Sequence, residues 1–557
     1  MKMKGSAAEE EMKKLRSTAT ELLLREDWNE YINLYSRFIA SCNFSQTSPI
    51  DDDYDPVDSA KLRRALCCAL SNRAEAQSRL RNLSAALNDC DRALTVDPVH
   101  LKSLVCKGKL LLDLHRYSQA SDCFRRAAAL SDANNSAGNL SQLLGRTQKL
   151  EAQSKTGAVD LSDWVANGFV SNCPELAEYV GPVDIRPSEA GGGRGLFATK
   201  SVEAGTPLVI TKAVALGRGI FPNAPAGSSE HESAYTAARM VVWKDFVGRV
   251  IDAAEKCSRT LSLLYTLFTG DLLGDLMVSK IDLFKPECSV DQNNVSIPVS
   301  KGKEVDVQRI LKVLDVNCLT EEALSAKVLG KKKDSCSVGL WLLPSFVNHS
   351  CCPNARRLHV GDRVVVHASR DIKSGEEITF AYFDVLQPLG QRREMAKRWG
   401  FLCSCARCRF EETREKDLAE LLCGISTAGD AGKGVVARVE NMVRMSRMKE
   451  KEKGFVRASF WMHYAIAYGS EMRVRNSKGR IPAEILVAEN IHGAVGGDER
   501  LLKTVMRSCK KRRDFVNAAE AMEMETIMKL ARGVYGKVMK NQAMKAFVEV
   551  EFAGSSK

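Results

Sequence analysis

From Met12 to Leu150 the apolar residues recur at three- and four-residue spacing, which predicts a run of amphipathic helices. Within that run the chain repeats itself: Ala74, Ala86, Cys90 and Ala93 have counterparts 34 residues on at Gly108, Ala120, Phe124 and Ala127. Small residues at these positions let two antiparallel helices approach closely, and bulkier ones fill the gap between neighbouring pairs. Asp97-Pro98 closes one copy and Pro98 opens the next, since proline suits the first turn of a helix. A looser copy starts near Met12, with Ala19, Trp28 and Tyr35 in register, and the polar insert QTSPIDDDYDPVD after it predicts a mobile loop. Leu140–Leu150 would cap the stack. From Val183 the period shortens. VDIRPSEAGGGRGLFATKSVEAGTPLVITKAVAL predicts short strands joined by glycine-rich turns. Helical spacing returns between about Ser228 and Gly330, and strand texture resumes at GLWLLPSFVNHS. It continues through ARRLHVGDRVVVHASRDI, where Gly361-Asp362 turns a hairpin, and ends in EEITFAYFD. After Phe410 the pattern is helical again, ending in a stretch with Met522, Ile527, Leu530 and Val534 on one face; its methionines are expected to fill a core.

These textures predict an α+β, multidomain chain. It has an α-helical array over 1–155, a β-rich domain over 181–409 with a helical insert at about 220–335, and a helical region over 410–557. At 557 residues, three or four domains are expected from a prior of about 150 residues each. The apolar and charged fractions, 45% and 27%, are those of globular protein. The chain lacks a run of about 18 apolar residues that would span a membrane, and its start lacks the apolar core of a secretory signal. The 18 cysteines therefore suit reduced thiols or metal ligands better than a disulfide framework. The formal charge of +12 allows contact with acidic proteins or nucleic acid but specifies neither; direct nucleic-acid or membrane binding is not expected. The basic runs Lys331–Lys333 and Lys510–Arg513 suit solvated charge better than import signals, and nucleus and cytoplasm both stay open as locations.

Two segments carry chemistry. GFLCSCARCRF places Cys403, Cys405 and Cys408 within six residues, a density that suits one tetrahedral zinc; the fourth ligand can come from Cys351 or Cys352 in VNHSCCPN. Gly191, Gly192, Gly193 and Gly195 permit positive φ and close approach of a ligand to the backbone.

The motifs carry two resemblances. SNRAEAQSRL and AALNDCDRAL at the 34-residue period resemble the tetratricopeptide repeat. GRGLFAT, NHSCCPN, EEITFAYFD and GFLCSCARC, in that order, resemble a SET-domain protein lysine methyltransferase over roughly Val183 to Arg409. The long helical insert and the CxCxxC ending resemble the SET-and-MYND branch in particular. That branch carries a MYND zinc finger inside its SET domain, and no second Cys/His cluster of such spacing occurs here. Partner choice therefore cannot be carried over from it.

The resemblance implies that Asn348 and His349 contact S-adenosylmethionine beside the Gly193, Arg194 and Gly195 backbone. Asn317 would be a further cofactor contact, and Phe401 would stack on the adenine. Cys351 would be the fourth zinc ligand with Cys403, Cys405 and Cys408. Tyr382 would touch the cofactor and place its hydroxyl near the transferring methyl group, as the catalytic residue. By the same resemblance the substrate is a lysine on a histone or another protein, lying as an added strand on a sheet edge, and the C-terminal helices form one wall of its cleft. Repeats of this kind bind peptides, and one subgroup clamps the carboxylate of a chaperone tail. Arg16, Asn72 and Lys102 are of suitable type for such a clamp, whereas Thr20 and Cys106 depart from it. The alternative is a repeat-based binding scaffold with an inactive SET fold, which cofactor binding would distinguish.

Overall fold

Small side chains decide how the N-terminal helices pack. The computed structural model describes residues 5–42, 56–130, 137–188, 193–220, 229–271, 278–286, 305–320, 335–421, 431–469, 481–512 and 517–553. The polar insert around Asp51–Asp53, Gly191, Gly192, the run Lys331–Lys333 and Arg513 lie outside these residues, and the side chains of Lys510–Arg512 and Met522 are not described. The first helices are α1 (Gly5–Leu24), α2 (Trp28–Ser41), α3 (Pro56–Arg79), α4 (Leu83–Val96), α5 (Leu101–Asp113), α6 (Tyr117–Leu130) and α7 (Ala137–Thr156). Ala74, Ala86, Cys90 and Ala93 are fully buried, as are Ala120, Phe124 and Ala127. At Gly108 a Cβ would sit 2.6 Å from the Phe124 ring, so α5 and α6 meet at a separation that only glycine allows. Glu26, Arg81 and His115 take positive φ at the turn inside each helix pair, so the repeat is one of backbone geometry as well as side chains.

Two compact units divide the chain. One consists of Met1–Lys155 with the short pieces Asp252–Ser262 and Lys285–Val305. The other consists of Thr156–Ile251, Leu263–Phe284 and Asp306–Lys557, and it contains the strands β1 (Tyr179–Val180), β2 (Val183–Ser188), β3 (Gly193–Ala198), β4 (Pro207–Lys212), β5 (Ala215–Ile220), β6 (Leu319–Thr320), β7 (Ser335–Leu340), β8 (Asn348–His349), β9 (Ala355–Val360), β10 (Arg363–Ala368) and β11 (Glu377–Phe380). Three sheets result, in the orders β1-β4-β10-β9, β2-β3-β11-β8 and β5-β7-β6. Gly361, at φ 62°, makes the β9–β10 hairpin turn. The insert between β5 and β7 carries the helices Ser229–Lys256, Ser258–Leu264 and Val307–Asn317.

Two expected strands are shorter than their apolar texture suggests. In GLWLLPSFVNHS the strand stops at Leu340, and Leu343–Phe346 forms a single 3₁₀ turn with Pro344 in its first positions, where a missing N–H is harmless. EEITFAYFD leaves the sheet after Phe380, which frees Tyr382 to turn away from the strand.

The run of valines in β10 is buried on both faces. Ile210, Leu358, Val360 and Val365 of the sheet share one core with residues of the C-terminal helices, including Val439, Trp461, Ile491, Leu530 and Val534. Met524 and Met528 pack against the same core. The described C-terminal helices and the sheet therefore bury each other's apolar faces. Among the described residues no helix is long and apolar enough to cross a membrane.

Candidate functional site

The four motifs meet because β11 takes two partners. Antiparallel pairing sets Glu377 opposite Phe197 and Ile378 opposite Leu196 of β3, while parallel pairing sets Thr379 opposite Asn348 and Phe380 opposite His349 of β8. The Asn348 amide then bridges the motifs, donating to the Arg194 carbonyl at 2.9 Å and to Glu377 Oε1 at 2.7 Å. Gly195 lies against this pair; a Cβ there would fall 2.3 Å from Glu377 Oε1 and 3.0 Å from Asn348 Nδ2. Gly193 takes φ 92° at the start of β3. Arg194 is buried with its guanidinium 5.2 Å from the Phe346 ring, and burial lowers its pKa. Asn354, at the other end of NHSCCPN, accepts from the Thr379 N–H at 2.8 Å and donates to the Glu377 carbonyl at 2.8 Å, pinning the loop to β11.

His349 accepts from the Tyr382 N–H at Nδ1, 3.1 Å away, which puts its proton on Nε2, 3.3 Å from Cys351 Sγ. Its ring stacks on Phe383 at 4.2 Å and lies 5.5 Å from Phe401. The Tyr382 hydroxyl donates to the Val347 carbonyl at 2.9 Å, and burial pushes its pKa up to about 12, so it stays protonated with its oxygen able to accept. Trp399 and Phe401 lie 5.1 and 6.1 Å from the Tyr382 ring.

Asn317, expected on a loose match, reaches the same place by a different route. It ends the helix Val307–Asn317, and its amide donates to the Phe268 and Val313 carbonyls at 2.7 Å each, leaving Oδ1 as the group it offers a ligand. Asn317 and Tyr382 line one narrow cavity of about 40 Å³, together with Ser345, Arg357, Phe380 and Trp399.

On the other side of His349, the sulfurs of Cys351, Cys403, Cys405 and Cys408 all lie within 4.8 Å of one another. Cys351 is 3.9 Å from Cys403 and 3.6 Å from Cys408. Four sulfurs about 2.3 Å from a tetrahedral zinc sit about 3.8 Å apart, so this set fits one such ion. Of the adjacent pair Cys351 and Cys352, it is Cys351 whose sulfur belongs to the set. As bare thiols the four perturb one another in opposite directions: a hydrogen bond from Cys351 lowers Cys403 to about 5, while Cys351 itself is driven up. A divalent cation removes that conflict by taking thiolates throughout.

Sequence reasoning missed the polar layer behind the thiols. Arg392, from the helix Leu389–Arg398, donates to Cys408 Sγ at 3.1 Å and pairs with Glu411. Arg407 pairs with Glu411 at 2.7 Å and donates to the Val385 carbonyl at 2.6 Å and to Ser459 at 2.8 Å; Ser459 in turn donates to Glu411 at 2.9 Å. The side chains of Arg392, Arg407 and Glu411 have no solvent exposure. The only hint along the chain is the spacing of Arg407 and Glu411, one helical turn apart. Glu377 was missed too, hidden in the acidic pair before ITF.

Comparison with known proteins agrees with this assembly. Residues 193–383 match the SET domain family. A protein of Gibberella zeae named methyltransferase is 25% identical over 456 residues, covering 75% of this chain and 57% of that protein. Histone-lysine N-methyltransferase SET5 of Yarrowia lipolytica is 29% identical over 206 residues, covering 34% of this chain and 47% of that protein. The chain thus spans about half the length of these curated relatives. Among solved structures, the SET domain of LSMT bound to lysine and AdoHcy aligns with 66% of this chain and 87% of that one, at 12% identity and a TM-score of 0.20. The TPR2B-domain:pHsp70 complex of yeast Sti1 aligns with 25% of this chain and 96% of that one, at 19% identity and a TM-score of 0.20. The chain carries a SET domain whose relatives are methyltransferases, some of them named for histone lysines.

Proposed function

We propose that this chain transfers a methyl group from S-adenosylmethionine to lysine side chains of a protein, histone or other, while its N-terminal repeats dock a protein partner. The observation that carries the reading is the convergence of Gly195, Asn348, His349, Tyr382 and Phe401 from segments about 200 residues apart in the chain, with Tyr382 also lining the narrow cavity. When bound, the cofactor would supply an activated methyl on a sulfonium for the neutral lysine amine to accept, the sulfur leaving as a neutral thioether. This chain's residues do the rest. Asn348, beside Gly195, would hold the donor's polar end, and Phe401 would pack on its flat base. A free lysine has a pKa of about 10.4, so its amine must lose a proton first; the aromatic walls formed by Phe380, Tyr382 and Trp399 favour the neutral form by desolvation. Tyr382, protonated and fixed by Val347, orients amine and methyl.

Cys351, Cys403, Cys405 and Cys408 would hold zinc, which fixes the post-sheet loop that carries Phe401. In the repeats, Asn72 donates to the Tyr35 hydroxyl at 2.8 Å and accepts from Lys102, while Lys102 lies 3.8 Å from Glu75 and Arg16 is exposed. Asn72 and Lys102 are therefore side by side, in a position to meet an anionic peptide group.

Purified protein incubated with methyl-labelled S-adenosylmethionine and a whole-cell protein extract should label discrete bands, and Tyr382→Phe should lose that labelling while still binding the cofactor by calorimetry. Absence of both labelling and cofactor binding in the wild type would refute the proposal and leave the repeats as the working part.

A further inference from the structure

Residues 347–351 touch Tyr382 twice and the thiol cluster once. The Val347 carbonyl accepts from the Tyr382 hydroxyl at 2.9 Å, His349 Nδ1 accepts from the Tyr382 N–H at 3.1 Å, and Cys351 is one of the clustered cysteines. β11 ends at Phe380, so the Tyr382 N–H lies beyond the ladder and a side-chain nitrogen takes the place of a strand partner. With Nδ1 accepting, Nε2 carries the ring proton and directs it at Cys351 Sγ, 3.3 Å away. The ring also hydrogen-bonds Cys403. His349 is buried, and Phe383 stacks on its ring at 4.2 Å with the planes 30° apart, which holds the ring in an orientation that serves Tyr382 and Cys351 together. Beneath it the backbone is fixed by pairing with Phe380, whose carbonyl accepts from the Ser350 N–H at 3.2 Å. Both ring nitrogens of His349 are thus engaged within the protein.

We infer that His349 is a positioning residue that couples the metal centre to Tyr382: Nε2–H holds the Cys351 sulfur, Nδ1 holds the Tyr382 main chain, and the placement of Tyr382 depends on whether the cysteines carry a metal. The inference rests on the proposed methyl transfer and on zinc at the thiols, and it adds the link between them. A bound metal pins the sulfurs of its ligands, whereas a free cysteine side chain can turn about χ1. A ligating sulfur also keeps negative charge, and hydrogen bonds to charged acceptors are about twice as strong as neutral ones. Metal loading therefore fixes one end of the imidazole, and the rigid ring passes that constraint to the Tyr382 N–H. The reaction is sensitive to this, because a misplacement of about 1 Å in a positioned group can cost about 100-fold in rate. Zinc would then act on the chemistry through the main chain of Tyr382, besides fixing the loop that carries Phe401.

The test uses the full chain loaded with zinc, the same chain stripped by a chelator, and two substitutions that separate the ring's two bonds. Asparagine places its amide where Nδ1 stands and glutamine where Nε2 stands, so His349→Asn keeps an acceptor for Tyr382 and His349→Gln keeps a donor for Cys351. Two readouts need no turnover. Competition with a chromogenic chelator gives zinc affinity, and hydrogen exchange with residue-resolved fragmentation gives the Tyr382 amide, with the Thr379 amide as reference because its acceptor is Asn354. His349→Asn should bind zinc about 10- to 100-fold more weakly, and His349→Gln within about threefold of the wild type. Stripping zinc from the wild type should speed the Tyr382 amide about fivefold or more relative to Thr379, whereas neither variant should respond. In the methylation assay His349→Gln should lower kcat about tenfold or more with little change in the KM for S-adenosylmethionine. Should a variant fail to fold by circular dichroism, the wild type with and without zinc decides alone. An equal response of the Tyr382 and Thr379 amides to zinc removal, or a zinc response that survives in His349→Gln, overturns the coupling while leaving methyl transfer and zinc binding intact. A chain that takes up no zinc removes the zinc reading and the coupling together. A chain that shows the amide response yet methylates nothing keeps the coupling and loses only the proposed reaction.

Discussion

Replacing Glu411 by glutamine tests how the thiol cluster is held. The change keeps the side chain's shape and removes one negative charge from a place where Arg392, Arg407 and Glu411 are wholly shielded from solvent. Three donors meet the carboxylate: Arg392, Arg407 at 2.7 Å and Ser459 at 2.9 Å. A glutamine accepts at only one atom, so its amide nitrogen must point donors at one of the two guanidiniums. Removing one partner from a buried ion pair costs about 3–5 kcal/mol, because the remaining charge stays desolvated. Here the thiolates of a loaded cluster compensate part of that charge, which sets the expectation near about 3 kcal/mol with zinc bound and nearer about 5 kcal/mol with it removed. Hydrogen exchange read by mass spectrometry on peptides covering Ala406–Glu412 and Glu450–Ser459 measures local opening directly. A loss of about 3 kcal/mol corresponds to roughly 150-fold faster exchange. Glu411→Gln exchanging within tenfold of the wild type would refute the reasoning.

Two more outcomes follow from the same unit. Gly195→Ala would place a methyl group 2.3 Å from Glu377 Oε1, so the Glu377 carboxylate must shift and disturb its bond to Asn348; calorimetry should show S-adenosylmethionine binding weakened by about tenfold, or about 1.4 kcal/mol, with the fold retained by circular dichroism. Acid should weaken the interface between sheet and C-terminal helices. Burial, aided by Arg356, lowers His367 to about 3, and burial with Lys529 and Arg356 lowers His492 to about 4. Both pKa values lie below the unfolded value of about 6.5, so the unfolded chain binds more protons in between. Stability from this source is complete above pH 6.5 and is lost as pH falls toward 4, by about 2 kcal/mol per histidine at pH 5. Thermal melts across this range should show His367→Gln with a visibly shallower acid dependence; an unchanged slope would count against the buried neutral ring.

The repeats were legible because each copy encodes its own geometry. Ala74 and Gly108 mark close helix contacts at the same phase of the period, and the turn residues Arg81 and His115 repeat with them. The cysteine triplet was legible for a similar local reason: Cys403, Cys405 and Cys408 are close in the chain before they are close in space. The strand ends were less so. Apolar texture cannot tell Leu343–Phe346 from a strand, and Pro344 there favours a 3₁₀ turn. Arg392, Arg407 and Glu411 were not legible at all, since buried and exposed arginines are the same letter and only their desolvated neighbours distinguish them.

Local order in the chain thus determined the helical array, the glycines that admit backbone approach, and the chemical types gathered in NHSCCPN and GFLCSCARC. Tertiary structure alone decided that β11 pairs with β3 on one side and β8 on the other, which brings Gly195, Asn348 and Tyr382 together. It also brought Cys351, the ligand the resemblance implied, to the triplet, and decided that the C-terminal helices complete the core of the sheet. The physical reason is range. Periodicity and spacing report contacts within a turn or two of chain, whereas register, burial of charge and the sharing of an apolar face are settled by partners far apart in sequence, where the free energy of excluding water is gained only once both faces meet.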